Sequence, residues 1–386
     1  MIYRILSLFL VLGLGISCNA QPAKPASKKG AKYVYGETIS ENKTLSDKFF
    51  STDTAIGKKV DSIYNSMSTV ERAGQMIMVA SSEVLGFPYS TTVSPLVNGK
   101  QVGSVLFLKG KKNDFEKQRK ELDKISTAGL KPIYACDCEP TLLHNKFIGQ
   151  KKMNATANLS SIMMVNSSVD TINKLMTEMG LTINFAPIAD IAANKSIINN
   201  RSFGNSPKKI DSLASAFVAA TQGDNKAATI KHFPGHGAVK GDSHKQSVYI
   251  DGKMTELETF KTVIKESSPM FVMVGHIVIK NNPEGYNTEN GRPATTSKKI
   301  ITDLLREKMG FKGIIVTDAM NMQASKNYPD SDWEAAKAGA DLILMPLNAS
   351  ALNKKISKEL ESNSNLGKQF EASVKRMIRL KVLSQK

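Results

Sequence analysis

The sequence predicts an α/β fold, a (β/α)8 barrel of the TIM type, and three observations lead there. About eight short apolar runs recur every thirty to fifty residues or so from residue 70 onward. Helical segments with recognisable ends lie between them. Five of the runs reach an ionisable residue at or near their C-terminal ends, which is where a barrel of this kind keeps its chemistry.

The elements follow in order. Arg4 supplies a positive n-region, Ile5 to Leu14 a short apolar stretch, and Gly15, Ile16 and Ser17 lead to Cys18. This is the order of a secretory signal, too short to span a bilayer permanently. A Cys directly after such a site resembles a bacterial lipobox, in which the thiol is lipidated and becomes the new N-terminus. An ordinary secretion signal is the alternative. The Pro-, Ala-, Ser- and Lys-rich stretch that follows reads as a tether. The expected organisation is a signal at 1–17, the lipidated Cys18 and linker at 18–45, and one barrel domain at 46–386.

The apolar runs are 74–80, 102–108, 131–137, 183–190, 227–233, 270–279, 313–318 and 340–346. They show little alternation, as expected of strands buried on both faces. Between them, Asn113 with Glu116 reads as a cap ahead of Phe115, Leu122 and Ile125. Ser206-Pro207 opens a helix stopped by Gly223, and Thr255 with Glu258 reads as a capping box. Ser297 opens a helix closed by Gly310, and Leu366, Phe370, Val374 and Met377 stripe the last one. The competitor is a doubly wound open sheet. It would more naturally carry a G-x-G-x-x-G or G-x-x-x-x-G-K-[ST] loop after its first strand, and neither pattern occurs.

Composition narrows the function. With 52 Lys and Arg against 35 Asp and Glu, the net charge is +17. The basic residues come as scattered pairs such as Lys58-Lys59 and Lys298-Lys299, without interleaved aromatics, so no nucleic-acid partner is expected. A basic surface suits anionic lipid or cell-wall carboxylates. Cys136 and Cys138 stand one residue apart, where a bridge is unfavourable, and no second cysteine pair follows to complete a metal site. Two reduced, buried thiols are expected, with no metal and no cofactor.

The third run ends in Asp137, the fourth in Asp190, the fifth in Lys231-His232 and the seventh in Asp318, and the sixth contains His276. After the fifth comes Lys231-His232-Phe233-Pro234-Gly235-His236-Gly237, then Asp242-Ser243-His244, holding three of the chain's five histidines. Asp242 and His244, two apart in a loop, can pair. The carboxylate would orient the imidazole and raise its pKa, making it a usable proton donor. Asp318 is the carboxylate to set opposite it. His236 is given no catalytic role.

This stretch resembles the signature of the β-N-acetylhexosaminidase branch of glycoside hydrolase family three. Gly74-Gln75-Met76, Arg201-Ser202-Phe203-Gly204, Pro293-Ala294-Thr295, Gly310-Phe311-Lys312-Gly313, Val316 to Met322 and Ala338-Gly339-Ala340-Asp341 extend the likeness along most of the chain. The resemblance implies a retaining exo-acting β-N-acetylglucosaminidase, with Asp318 as nucleophile and His244, paired with Asp242, as acid and base. It further implies that Asp137, Arg201, Lys231 and His232 hold the terminal sugar, with His276 and Met322 lining the pocket. The substrate would be an amino-sugar glycan or peptidoglycan fragment, met in the bacterial envelope by a protein anchored to the membrane through Cys18. One departure stands out. Asp137 is followed by Cys138-Glu139-Pro140-Thr141, where the family keeps a glycine pair and a downstream arginine. A β-glucosidase of the same family, or a glycan-binding lipoprotein that does not cleave, are the alternatives. The sequence leaves the oligomeric state open.

Overall fold

The computed structural model describes residues 43–385, apart from 195, 240, 241 and 363. The expectations for the signal at 1–17 and for Cys18 lie outside the described residues.

Eight parallel strands form the central sheet: β1 (Ile77–Ser81), β2 (Ser104–Phe107), β3 (Ile133–Cys136), β4 (Ile183–Asn184), β5 (Ala227–Phe233), β6 (Phe271–Val274), β7 (Ile314–Thr317) and β8 (Ile343–Leu344). Each of the eight apolar runs holds one of them. Neighbours in sequence are neighbours in the sheet, and β1 also pairs with β8, Ile77 opposite Ile343. A single bridge, Val316 opposite Leu342, joins β7 to β8, so the sheet is a nearly closed barrel.

The pleat sorts side chains into two apolar cores. One face of the strands, with Met78, Ala80, Leu106, Ala135, Ala227, Met273 and Val316, packs into the lumen. The other, with Val79, Val105, Tyr134, Ile230, Val272 and Ile315, packs against helix residues such as Phe115, Val169, Phe217 and Phe370. Leu45 and Phe49 from the first described helix, with Met377 and Leu380 from the last, join the lumen core. The alternation is hidden in the sequence because both faces are covered by apolar atoms.

Several local expectations are corrected. The run 270–279 is two strands: after β6 the chain leaves the barrel, and Ile277–Lys280 pairs with Val248–Asp251 in a separate ribbon. The helix expected to start at Asn113 spans Lys112–Leu122, with Lys111 at its cap and no side-chain cap bond. Thr255 and Glu258 form no capping box either. That helix is Leu257–Ser267 with Glu256 at its cap position, and the Glu256 carboxyl turns instead to a neighbouring loop. Cys136 and Cys138, expected as free thiols, are joined in a disulfide. In an extended chain residues two apart lie roughly 7 Å apart. Here the chain turns at the end of β3, and the Cα atoms approach to 5.5 Å, within the span a bridge can cover.

Candidate active site

Asp137 follows β3 on the same face as Ala135, and Lys231 in β5 lies on the same face as Ala227 and Thr229, so strand alternation turns both toward the C-terminal mouth of the lumen. Lys231 Nζ donates to Asp137 Oδ1 at 3.0 Å and meets Glu139 Oε1 at 2.7 Å. Lys146 Nζ donates to Asp137 Oδ2 at 3.0 Å. Arg201 forks onto Glu139, Nε to Oε2 at 2.9 Å and Nη2 to Oε1 at 2.7 Å. Three cations thus surround two carboxylates. Burial pushes the Asp137 carboxyl up, but Lys146 and Lys231 outweigh it and hold its pKa well below the usual range. Burial likewise opposes ionisation of Glu139, yet Arg201 and Lys231 bring it down to about 2. Lys231 is pulled down by burial and raised further by Asp137 and Glu139, so it stays charged. The Asp137 side chain keeps 17% of its surface exposed and the Glu139 side chain 2%, so Asp137 faces the opening and Glu139 lies beneath it.

Asp190, just beyond β4, is fully buried. It accepts from the His232 backbone N–H and meets His232 Nδ1 at 2.7 Å, fixing the imidazole so that Nε2 is the free nitrogen. Asp190 Oδ1 also accepts from the backbone N–H of His236 at 2.8 Å. Asp318 follows β7, with its backbone N–H bonded to Val274 O and its Oδ1 accepting from Ala319 N. Burial raises the Asp318 pKa, but His232, His276 and His244 act on it together and leave it lowered, ionised at neutral pH. His244, half exposed, holds Nδ1 2.8 Å from Asp242 Oδ1, and its own backbone N–H bonds the same oxygen.

The structure therefore gathers the candidates in two linked groups: Asp137, Lys231 and Arg201 in one, Asp318, His232, His276, His244 and Asp242 in the other. Adjacency of Lys231 and His232 joins them. His276 is fully buried with Nδ1 2.8 Å from Thr295 Oγ1 and Nε2 2.9 Å from Ala319 O, so both ring nitrogens are engaged under the Asp318 loop. Met322 is largely buried at the start of the short helix Gln323–Lys326. Sequence reasoning missed Glu139, Lys146, Glu256 and Ser243. Lys146 supplies a positive charge to Asp137 from within the departing loop, and the acidic Glu139 beside Asp137 was the visible signal. Glu256 was hidden inside an apparent helix start.

Glu256 accepts from the backbone N–H groups of Ile191 at 2.7 Å, Gly237 at 3.2 Å and Ala238 at 3.0 Å. Burial, then the Asp190 charge, raises its pKa to about 8. It ties the root of the Asp242–His244 loop to the loop after β4.

The sequence profile described as "Glycosyl hydrolase family 3 N terminal domain" matches residues 68–380. The chain is 30% identical over 259 residues to "Beta-hexosaminidase A" of Pseudoalteromonas piscicida, covering 61% of this chain and 43% of that one. It is 32% identical over 172 residues to "Beta-hexosaminidase" of Tolumonas auensis, covering 42% and 49%. The chain thus spans about half the length, or less, of these curated relatives. In fold it is similar to a family 3 β-N-acetylglucosaminidase from Paenibacillus, with TM-score 0.73 and 24% identity over 83% of this chain and 63% of that one. A β-N-acetylhexosaminidase from Beutenbergia cavernae gives TM-score 0.72 and 22% identity over 82% and 99%. With the matched profile running from before β1 into the last helix, the chain belongs to glycosyl hydrolase family 3.

Proposed function

We propose that this protein is a retaining, exo-acting β-N-acetylglucosaminidase that hydrolyses terminal amino-sugar glycosidic bonds. The observation that carries the reading is the pairing of an ionised Asp318 with an Asp242–His244 couple acting on it from a separate loop. In the first step an Asp318 oxygen bonds to the anomeric carbon as the bond to the leaving oxygen breaks. His244 passes its Nε2 proton to that oxygen, while Asp242 holds Nδ1–H. In the second step neutral His244 takes a proton from water, the water oxygen attacks the anomeric carbon, and Asp318 is released. Asp137 and His232 Nε2 offer the sugar hydroxyls acceptors and Lys231 offers a donor, with Arg201 and Glu139 bracing them. The names of the relatives support the amino-sugar substrate.

A chromogenic aryl β-N-acetylglucosaminide tested beside the matching β-glucoside decides the reading. The first should be cleaved and the second spared. Asp318→Ala should lower kcat by roughly a thousandfold or more with an unchanged melting temperature. Retained turnover would sink the mechanism, preference for the glucoside would favour the β-glucosidase alternative, and binding of muropeptides without cleavage would make the protein a glycan-binding one.

We further propose that Cys18 is lipidated and tethers the barrel to a bacterial envelope membrane, where peptidoglycan fragments are the natural amino-sugar source. The Arg4-to-Cys18 pattern and the net charge of +17 support this. Metabolic labelling with a fatty-acid analogue should mark the wild type and not Cys18→Ser. Equal labelling of both rules the anchor out.

A further inference from the structure

The proposed mechanism uses Asp242 and His244 and leaves the residue between them without a role. Ser243 is fully buried, whereas the Asp242 and His244 side chains on either side keep 22% and 57% of their surface exposed. Its Oγ lies 2.9 Å from His236 Nε2. Its carbonyl accepts from Ala324 N at 3.2 Å, in the segment that leads away from Asp318. Among the described residues between Val239 and Val248, these are the two hydrogen bonds that tie the loop to the rest of the barrel. The others, from His244, Lys245 and Gln246 back to Asp242, stay inside it.

The direction of the first bond follows from its neighbours. Asn194 Oδ1 accepts from Ser196 N at 3.0 Å, which turns the Asn194 amide nitrogen toward His236 Nδ1 at 3.2 Å. An amide nitrogen donates, so Nδ1 is the acceptor and the ring hydrogen sits on Nε2, aimed at Ser243 Oγ. Burial, assisted by His232, lowers the His236 pKa to about 4, so the ring keeps this neutral form near neutrality. The His236 backbone N–H is bonded to Asp190, the carboxylate that also holds His232.

We propose that Ser243 is the positioning residue of the acid/base loop: its bond to His236 and its carbonyl bond to Ala324 set the height of His244 over Asp318. Asp242 orients the imidazole within the loop, and Ser243 places the loop relative to the nucleophile. This rests on the hydrolase reading above. A misplaced acid penalises leaving groups that need a proton and spares those that do not.

The test compares wild type, Ser243→Ala and His236→Phe on a 2,4-dinitrophenyl and a methyl β-N-acetylglucosaminide. In both variants kcat/KM for the dinitrophenyl substrate should change less than about threefold, and that for the methyl glycoside should fall about 10- to 100-fold. Azide should raise kcat in the variants, by replacing base-assisted water. The double variant should lose little beyond either single one, because both changes break one bond. An equal loss on both substrates, or none, overturns the proposal. Amide hydrogen exchange gives a readout independent of turnover. Exchange at residues 242–247 and at Ala324 should quicken in Ser243→Ala, and unchanged exchange overturns the proposal too. A wild type that cleaves neither glycoside refutes the hydrolase reading by itself, and the exchange comparison still decides whether Ser243 holds the loop.

Discussion

Glu139 shows how much can rest on one side chain. It is 1% exposed and shared between Arg201 and Lys231. Its pKa falls from 4.5 in the unfolded chain to about 2 in the folded one. The folded value is depressed, so the stabilisation is fully present above pH 4.5 and is lost as the pH falls toward 2. The gap corresponds to about 3 kcal/mol at neutral pH. Glu139→Gln should therefore unfold at lower urea at pH 7, by about 3 kcal/mol, and the difference should narrow as both proteins are taken below pH 4.5. A difference that stays constant down to pH 3 would mean that the ion pairs contribute nothing. Lys231 and Arg201 stand out in the sequence as candidate site residues because they end a strand run or sit in a family-like motif. That Glu139 stands beneath them is not legible there, since its partners lie 62 and 92 positions away along the chain.

At the scale of elements, the loop after β5 is shaped by what presses on it. A Cβ on Gly237 would lie 2.1 Å from Ile191 O and 2.6 Å from Glu256 Oε1. The glycine is therefore required by close approach, and Gly235 by a φ of +130° as well. Gly237→Ala should cost about 1–3 kcal/mol through overpacking. It should also lower turnover at least about tenfold by displacing the loop root from Glu256. Gly57→Ala, in the helix Thr54–Ser66 with open space around the site, serves as the control and should be neutral or stabilising by up to about 1 kcal/mol. Melting temperature and kcat measured side by side check this; similar behaviour of the two variants would remove Glu256 from the account. Both glycines give clearance to the buried Glu256 side chain.

At the scale of the whole molecule, the candidate site and a second buried ionic cluster occupy opposite ends of the barrel. Asp137, Asp190 and Asp318 lie beyond the C-terminal ends of their strands. Asp341 precedes β8 at the other end, fully buried between Arg306 at 2.5 Å and Arg376 at 2.9 Å and bonded to Ile315 N and Ser373 Oγ. Family-like motifs therefore divide by position: Ala338-Gly339-Ala340-Asp341 and Gly310-Phe311-Lys312-Gly313 hold the lower rim, where Arg306 Nη1 donates to Phe311 O and Gly313 O. Lys381 from the last helix is also buried there, donating to Gln75 Oε1 at 2.6 Å and Gly103 O at 2.7 Å. A Cβ on Gly103 would stand 3.0 Å from its Nζ, so the glycine keeps room for the ammonium group.

The eight strand runs, their order and the polar residues at their ends were settled by the sequence, because a strand covered on both faces must be apolar throughout and must surrender that character where it meets solvent. So was the local Asp242–His244 pair, since two residues apart in a loop are held together by the chain itself. What only the tertiary structure decided are the contacts between distant segments. The Glu139 brace, the Glu256 clamp, the Ser243 bond to His236 and the buried Lys381 each join side chains to groups brought close by barrel closure. Hydrophobic pattern and capping signals report on neighbours within a turn or two of chain. Partners set by the packing of one strand loop against another leave no periodic trace.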